Sequence, residues 1–102
     1  MPIEVRTNTA LERFELHIDG AIAGYAEYQD TAGERAFVRS EIYASPDRGH
    51  AATLFEAALR ATRAQGFEVL PMCPLVNRYI GTRAEHVAAV PSWARSQFGL
   101  PL

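Results

Sequence analysis

Polar and apolar residues alternate strictly from Arg13 to Asp19. Phe14, Leu16 and Ile18 fall on one face, and Arg13, Glu15, His17 and Asp19 on the other, which predicts a half-buried strand with His17 on its solvated side. Asp19-Gly20 then reads as a two-residue hairpin turn, because both residues tolerate positive φ. A second strand is expected over Ala21–Gln29, a turn over Asp30-Thr31-Ala32-Gly33, and a third strand from Arg35 to about Tyr43. In that third strand the alternation puts Ala36, Val38, Ser40 and Ile42 on one face and Phe37, Arg39, Glu41 and Tyr43 on the other. A short strand near Ile3–Thr7 would complete an antiparallel meander.

The period changes after residue 50. Ala51, Leu54, Phe55, Ala58 and Thr62 recur at helical spacing, Glu56 and Arg60 are placed to pair on the wet face, and Gly66 is a C-terminal cap. Phe67–Leu70 is a short strand stopped by Pro71. Cys73-Pro74 opens a second helix that breaks near Gly81 and resumes over Ala84–Val90, before Pro91. The tail, Ser92–Leu102, carries Trp93, Phe98 and Leu100 and is expected to pack. The sum is an α/β (α+β) fold, a mixed and mostly antiparallel sheet with helices packed on it. A crossover helix makes the last strand parallel to the one carrying Glu41. Ligands tend to bind where a sheet switches to such a connection.

Bulk composition narrows the function. A chain of 102 residues suits one small domain over 1–102, and 48% apolar residues are enough for a core without staples. A net charge of -2 removes the global electrostatic case for nucleic acid or an anionic membrane. Cys73 is the only cysteine, so no internal disulfide forms, and no apolar run approaches the roughly 20 residues of a spanning helix. Glu4, Arg6 and Glu12 interrupt any apolar signal core, and a cytoplasmic protein is expected. The three histidines, His17, His50 and His86, have no metal-ligand spacing, so no metal site is expected.

One stretch stands between the last meander strand and the first helix: Ser45-Pro46-Asp47-Arg48-Gly49-His50-Ala51-Ala52. A helix start offers unpaired backbone N–H groups and a partial positive charge. Gly49, Ala51 and Ala52 are small enough to let a phosphate approach, and Arg48 and His50 add donors. The competing reading is a tight turn in which Ser45 or Asp47 caps the helix.

Other segments extend the picture. Gly24-Tyr25-Ala26-Glu27-Tyr28, Ala36-Phe37 through Glu41, Gly49-His50-Ala51, Leu70-Pro71-Met72-Cys73-Pro74 and Tyr79-Ile80 together resemble the small branch of the GNAT superfamily of acetyl-CoA-dependent N-acetyltransferases, from about Phe14 to Pro91. The resemblance implies acetyl-CoA as cofactor and an amine acceptor, a small molecule or a protein. It implies that Arg48, Gly49, His50, Ala51 and Ala52 form the pyrophosphate loop, entered from Ile42 and Tyr43. Gly49-His50-Ala51 matches the end of the loop pattern, while Pro46 stands where Arg or Gln is usual. Two alanines, Ala51 and Ala52, replace the glycine and serine common in small relatives. Arg83-Ala84-Glu85-His86 and Arg39-Ser40-Glu41 keep only the acid of the His-Pro-Glu-Tyr and His-Thr-Glu motifs.

Within that frame Glu41 is the candidate base, directly or through water, against a plain ion pair to Arg39 or Arg35. Cys73 lies at a helix start, where a dipole favours an anionic sulfur; it either carries an acetyl thioester, or lies beside the CoA thiol, or is a small buried apolar residue. Tyr79 is a candidate proton donor to the leaving thiolate or a core residue, and Asn77 a candidate contact to the pantetheine amide. Tyr25 and Tyr28 read as sheet packing. Two rival readings share the fold: a CoA-binding or protein-interaction module with weakened or lost catalysis, and a structural domain that docks partners through Trp93 and Phe98.

Overall fold

A computed structural model describes residues 2–43 and 49–102. Five strands run β1 (Ile3–Asn8), β2 (Arg13–Ile18), β3 (Ala21–Thr31), β4 (Glu34–Ile42) and β5 (Glu68–Pro71), and they lie in that order in one sheet. Pairing is antiparallel from β1 to β4 and parallel between β4 and β5. Between β4 and β5 the chain forms α1 (His50–Ala64). After β5 come α2 (Pro74–Gly81), α3 (Ala84–Val87), α4 (Ser92–Arg95) and a 3-10 turn over Ser96–Phe98. The expected mixed sheet and helix order are both present.

Turn chemistry explains the hairpins. Asp19 (φ 51) and Gly20 (φ 82) make the expected two-residue turn. The second turn is tighter than the sequence suggests: Ala32 (φ 45) and Gly33 (φ 86) close it alone, so Asp30 and Thr31 continue β3 and pair with Arg35 and Glu34. α1 ends in a Schellman motif, with Gly66 (φ 84) donating to the Arg63 carbonyl at 2.9 Å and Phe67 donating to that of Thr62 at 3.2 Å.

The core joins Phe14, Leu16, Ala26, Tyr28 and Phe37 of the sheet to Leu54, Phe55, Ala58 and Leu59 of α1, and extends to Val76, Ile80, Val87, Val90, Ala94 and Leu100. The tail therefore packs as expected, except for Trp93, which is 59% exposed. His17 also departs from expectation. It is half-buried, its Nε2–H donates to Glu15 at 3.0 Å, and its Nδ1 is buried without a hydrogen-bond partner among the described residues.

The alternation inferred for the third strand fails at one point. Tyr28 pairs with Phe37 and Glu27 with Arg39, so Val38 is an extra residue in β4. The β-bulge returns Ser40 and Ile42 to the face of Phe37, opposite buried Ala26 and Gly24, and leaves Arg39 and Glu41 on the other face, opposite Glu27 and Tyr25. A side chain is barred at Gly24: a Cβ there would meet the Glu41 carbonyl oxygen and Ile42 Cδ1, each at 2.8 Å. Gly24→Ala is expected to cost about 2 kcal/mol, the scale of overpacking, with a lower urea midpoint as the measurement.

Candidate active site

The bulge matters because β4 outlasts its partner. Parallel pairing with β5 ends at Phe37↔Pro71, while β4 continues to Ile42. Beyond Phe37 no described strand covers that edge of β4, and the chain leaves β5 towards α2. Cys73 sits at this fork. Its backbone N–H donates to the Phe37 carbonyl at 2.7 Å, and its Sγ lies 3.2 Å from Ser40 Oγ. The side chain is 3% exposed and ends β5's approach to α2 as the helix N-cap. Ser40 faces Cys73 only because the bulge keeps it on the core face.

Glu41 lies on the opposite face. Its side chain is 46% exposed, Tyr25 Oη donates to Oε1 at 3.3 Å, and Arg39 Nη2 is 3.8 Å away. The ion pair to Arg39 foreseen in the sequence forms, and Tyr25 adds a hydroxyl that orients the carboxylate. Tyr43, at the end of the same edge, donates its N–H to the Ala23 carbonyl at 2.8 Å and places its ring 6.0 Å from that of Tyr25.

A cleft of about 700 Å³ opens beside α1. One wall is Gly49, Ala51, Ala52 and Phe55; the other is Leu75, Arg78, Tyr79, Thr82 and Arg83. Gly49 is the N-cap of α1 with φ 104, a left-handed conformation, and it has no side chain with which to cap the helix. Ser45, Pro46, Asp47 and Arg48 lie outside the described residues, so their expected roles belong to the sequence reading alone. Ala51 and His50 are half-buried at the helix start.

Tyr79 and Asn77 are committed to contacts within the protein. Asn77 Nδ2 donates to the Phe98 carbonyl at 2.9 Å, tying α2 to the tail. Tyr79 Oη donates to Glu56 Oε1 at 2.6 Å, and His86 Nε2–H donates to the same oxygen at 2.7 Å. Glu56 Oε2 accepts from Arg60 Nε at 2.6 Å. Hydrogen bonds from Tyr79, then His86, then Arg60 hold the Glu56 carboxyl well below its ordinary 4.5, at about 2. Burial, and then the Glu56 hydrogen bond, push the Tyr79 hydroxyl up to about 12. Glu56, Glu85 and His86 bring ligand atoms within 4.8 Å of one another, but both Glu56 oxygens are already occupied by donors.

The Glu56 network has a pH signature. A folded-state value of about 2 against an ordinary 4.5 means its stabilisation is complete above pH 4.5 and is lost as pH falls towards 2. Urea unfolding of wild type and Glu56→Gln between pH 7 and pH 2.5 should show the gap between them shrinking across that window. A constant gap would assign the network's effect to packing alone.

The sequence reading saw Glu56 only as the partner of Arg60. Tyr79 and His86 lie 23 and 30 residues from it, separations that carry no local signal. Ser40, Tyr25, Arg78 and Arg83 were likewise not singled out as site residues. Arg78 falls on α2 and Arg83 beyond its end, so no helical spacing links them in the chain.

Fold and site define a mixed-sheet α/β protein whose sheet forks beside β5, with a cysteine at the fork and a crossover helix, α1, that starts from a glycine. Residues 13–90 match the family model described as GCN5-related N-acetyl-transferase, and the chain belongs to that family, whose chemistry is acyl transfer. No curated protein matches it in sequence. No helix among the described residues is long and apolar enough to cross a membrane.

Proposed function

We propose that this protein is an acetyl-CoA-dependent N-acetyltransferase acting on an amine, and that transfer to the amine is direct. The observation that carries this is the fork: a β4 edge from Val38 to Ile42 that no described strand covers, flanked by Ser40 and Cys73 on one face and Glu41 on the other, with α1 starting at Gly49. The residues suit a CoA thioester. The exposed strand edge offers backbone groups to an amide-bearing arm, and small Ala51 and Ala52 leave the α1 amides accessible to a diphosphate. Acetyl-CoA supplies the activated acyl group.

The chain's own residues then divide the work. Glu41, half-exposed and oriented by Tyr25, takes the proton of an amine approaching from the outer face of the sheet. Ser40 and Cys73 line the inner face of the fork, where a hydroxyl and a thiol can donate to a developing charge. The described partner of Cys73 Sγ is a hydroxyl, and His86 Nε2 is spent on Glu56, which favours direct transfer over an acetylated sulfur. Tyr79, with its proton held by Glu56, acts as a cleft wall and not as an acid.

Titration calorimetry with acetyl-CoA tests the reading, followed by a transfer assay over a panel of amines. Binding in the micromolar range with turnover supports it. No heat at millimolar acetyl-CoA refutes it, and binding without turnover on any amine favours the catalytically silent module.

A further inference from the structure

The cleft carries two arginines that meet no carboxylate among the described residues. Arg78 and Arg83 both line it. Among the described residues Arg78 makes no hydrogen bond or ion pair. Arg83 packs its guanidinium 3.9 Å from the centre of the Tyr79 ring and donates from Nη1 to the Tyr79 carbonyl at 3.1 Å and to Thr82 Oγ1 at 2.8 Å, with no described carboxylate as partner. Glu56, the acid on the facing helix, is saturated by Tyr79, His86 and Arg60. In a chain of net charge -2, two guanidiniums on one cleft wall with no ion-pair partner among the described residues form a local cationic site.

Direction along α2 identifies the ligand group. Cys73 caps the start of the helix at the fork, where the acyl end belongs under the reading above. Arg78 follows five positions later and Arg83 lies just past the helix end. At 1.5 Å per residue they sit at the far end of the cleft, away from the thioester. Facing them across the cleft is the start of α1, whose backbone amides suit the diphosphate. The remaining anionic group of CoA is its 3′-phosphate.

We propose that Arg78 and Arg83 form a phosphomonoester subsite that selects CoA over 3′-dephospho-CoA. The inference rests on the acetyl-CoA reading of the cleft. Planar guanidiniums can grip a dianionic phosphate in bidentate fashion, and Arg83 is already held flat on Tyr79, so little freedom remains to be lost on binding.

Calorimetry with CoA and 3′-dephospho-CoA on wild type, Arg78→Ala, Arg83→Ala and the double variant tests it. Wild type should prefer CoA by ~10-fold or more, as expected for charge-assisted hydrogen bonds to one phosphate. The double variant should lose that preference while keeping its affinity for 3′-dephospho-CoA. Arg78→Lys should recover only part of the loss, because an ammonium lacks the fork. Arg78 is exposed and unpartnered, so its variants test the site without disturbing the fold. Equal wild-type affinity for both ligands, or equal weakening of both in the variants, overturns the subsite and leaves the acetyl-CoA reading standing. If wild type binds neither ligand, both readings fall together.

Discussion

Arg35→Met is expected to lose about 2–3 kcal/mol of stability, the scale of removing a buried, hydrogen-bonded charge whose partner still meets water. Arg35 is 4% exposed, between the sheet and α1. Its Nε and Nη2 donate to the two oxygens of Asp30 at 2.7 and 2.9 Å, and Nη1 donates to Thr62 Oγ1 at 3.2 Å. The guanidinium also lies 4.1 Å from the centre of the Tyr28 ring and 4.6 Å from that of Phe67. Methionine fills much of the volume but strands Asp30, whose side chain is only 31% exposed, and leaves Thr62 without its donor. For a domain of this size the loss corresponds to a fall in Tm on the order of 10 °C. Asp30→Asn should cost less, because the amide can still accept from Arg35 and the site has access to water. A thermal melt of Arg35→Met within about 3 °C of wild type would show that aromatic packing, and not the charge pair, holds this layer.

Glu41→Gln is expected to reduce kcat about 100-fold while changing acetyl-CoA affinity by no more than about twofold, the mark of a general base that does not bind the cofactor. Glutamine preserves the volume and can still accept from Tyr25, but it cannot take a proton. Tyr25→Phe should produce a smaller fall of the same kind, because it frees the carboxylate without removing it. Cys73→Ala tests the other route. If transfer is direct, it lowers kcat by less than about tenfold, since what is lost is one donor at the fork. Mass spectrometry of enzyme mixed with acetyl-CoA should then show no acetyl adduct at Cys73. A stable adduct there, with turnover abolished in Cys73→Ala and intact in Glu41→Gln, would move the reaction onto the sulfur.

Much of this site could be anticipated because its parts are local. The small side chains at the start of α1 follow from Gly49 and two alanines. Cys73 at a helix N-cap follows from the proline behind it, and Glu41 near the end of β4 from a run of β-formers. Contacts among these parts are another matter. Ser40 and Cys73 are 33 residues apart, Tyr25 and Glu41 16, and Tyr79 and Glu56 23. Such pairs exist only once strands are in register and helices are docked. The bulge at Val38 shows why register is hard to foresee. An unbroken alternation through Phe37, Arg39 and Glu41 implies one shared face, and a single extra residue separates Phe37 from the other two.

Periodicity and turn residues set the order of elements, the ends of α1 and the mixed character of the sheet, since these depend on backbone conformations that nearest neighbours impose. The shape of the fork, the facing of Ser40 and Glu41, the capture of Tyr79 by Glu56 and the meeting of Arg78 and Arg83 on one cleft wall arise only from packing. Each depends on which distant groups come within hydrogen-bond reach or fail to, and local sequence does not encode that.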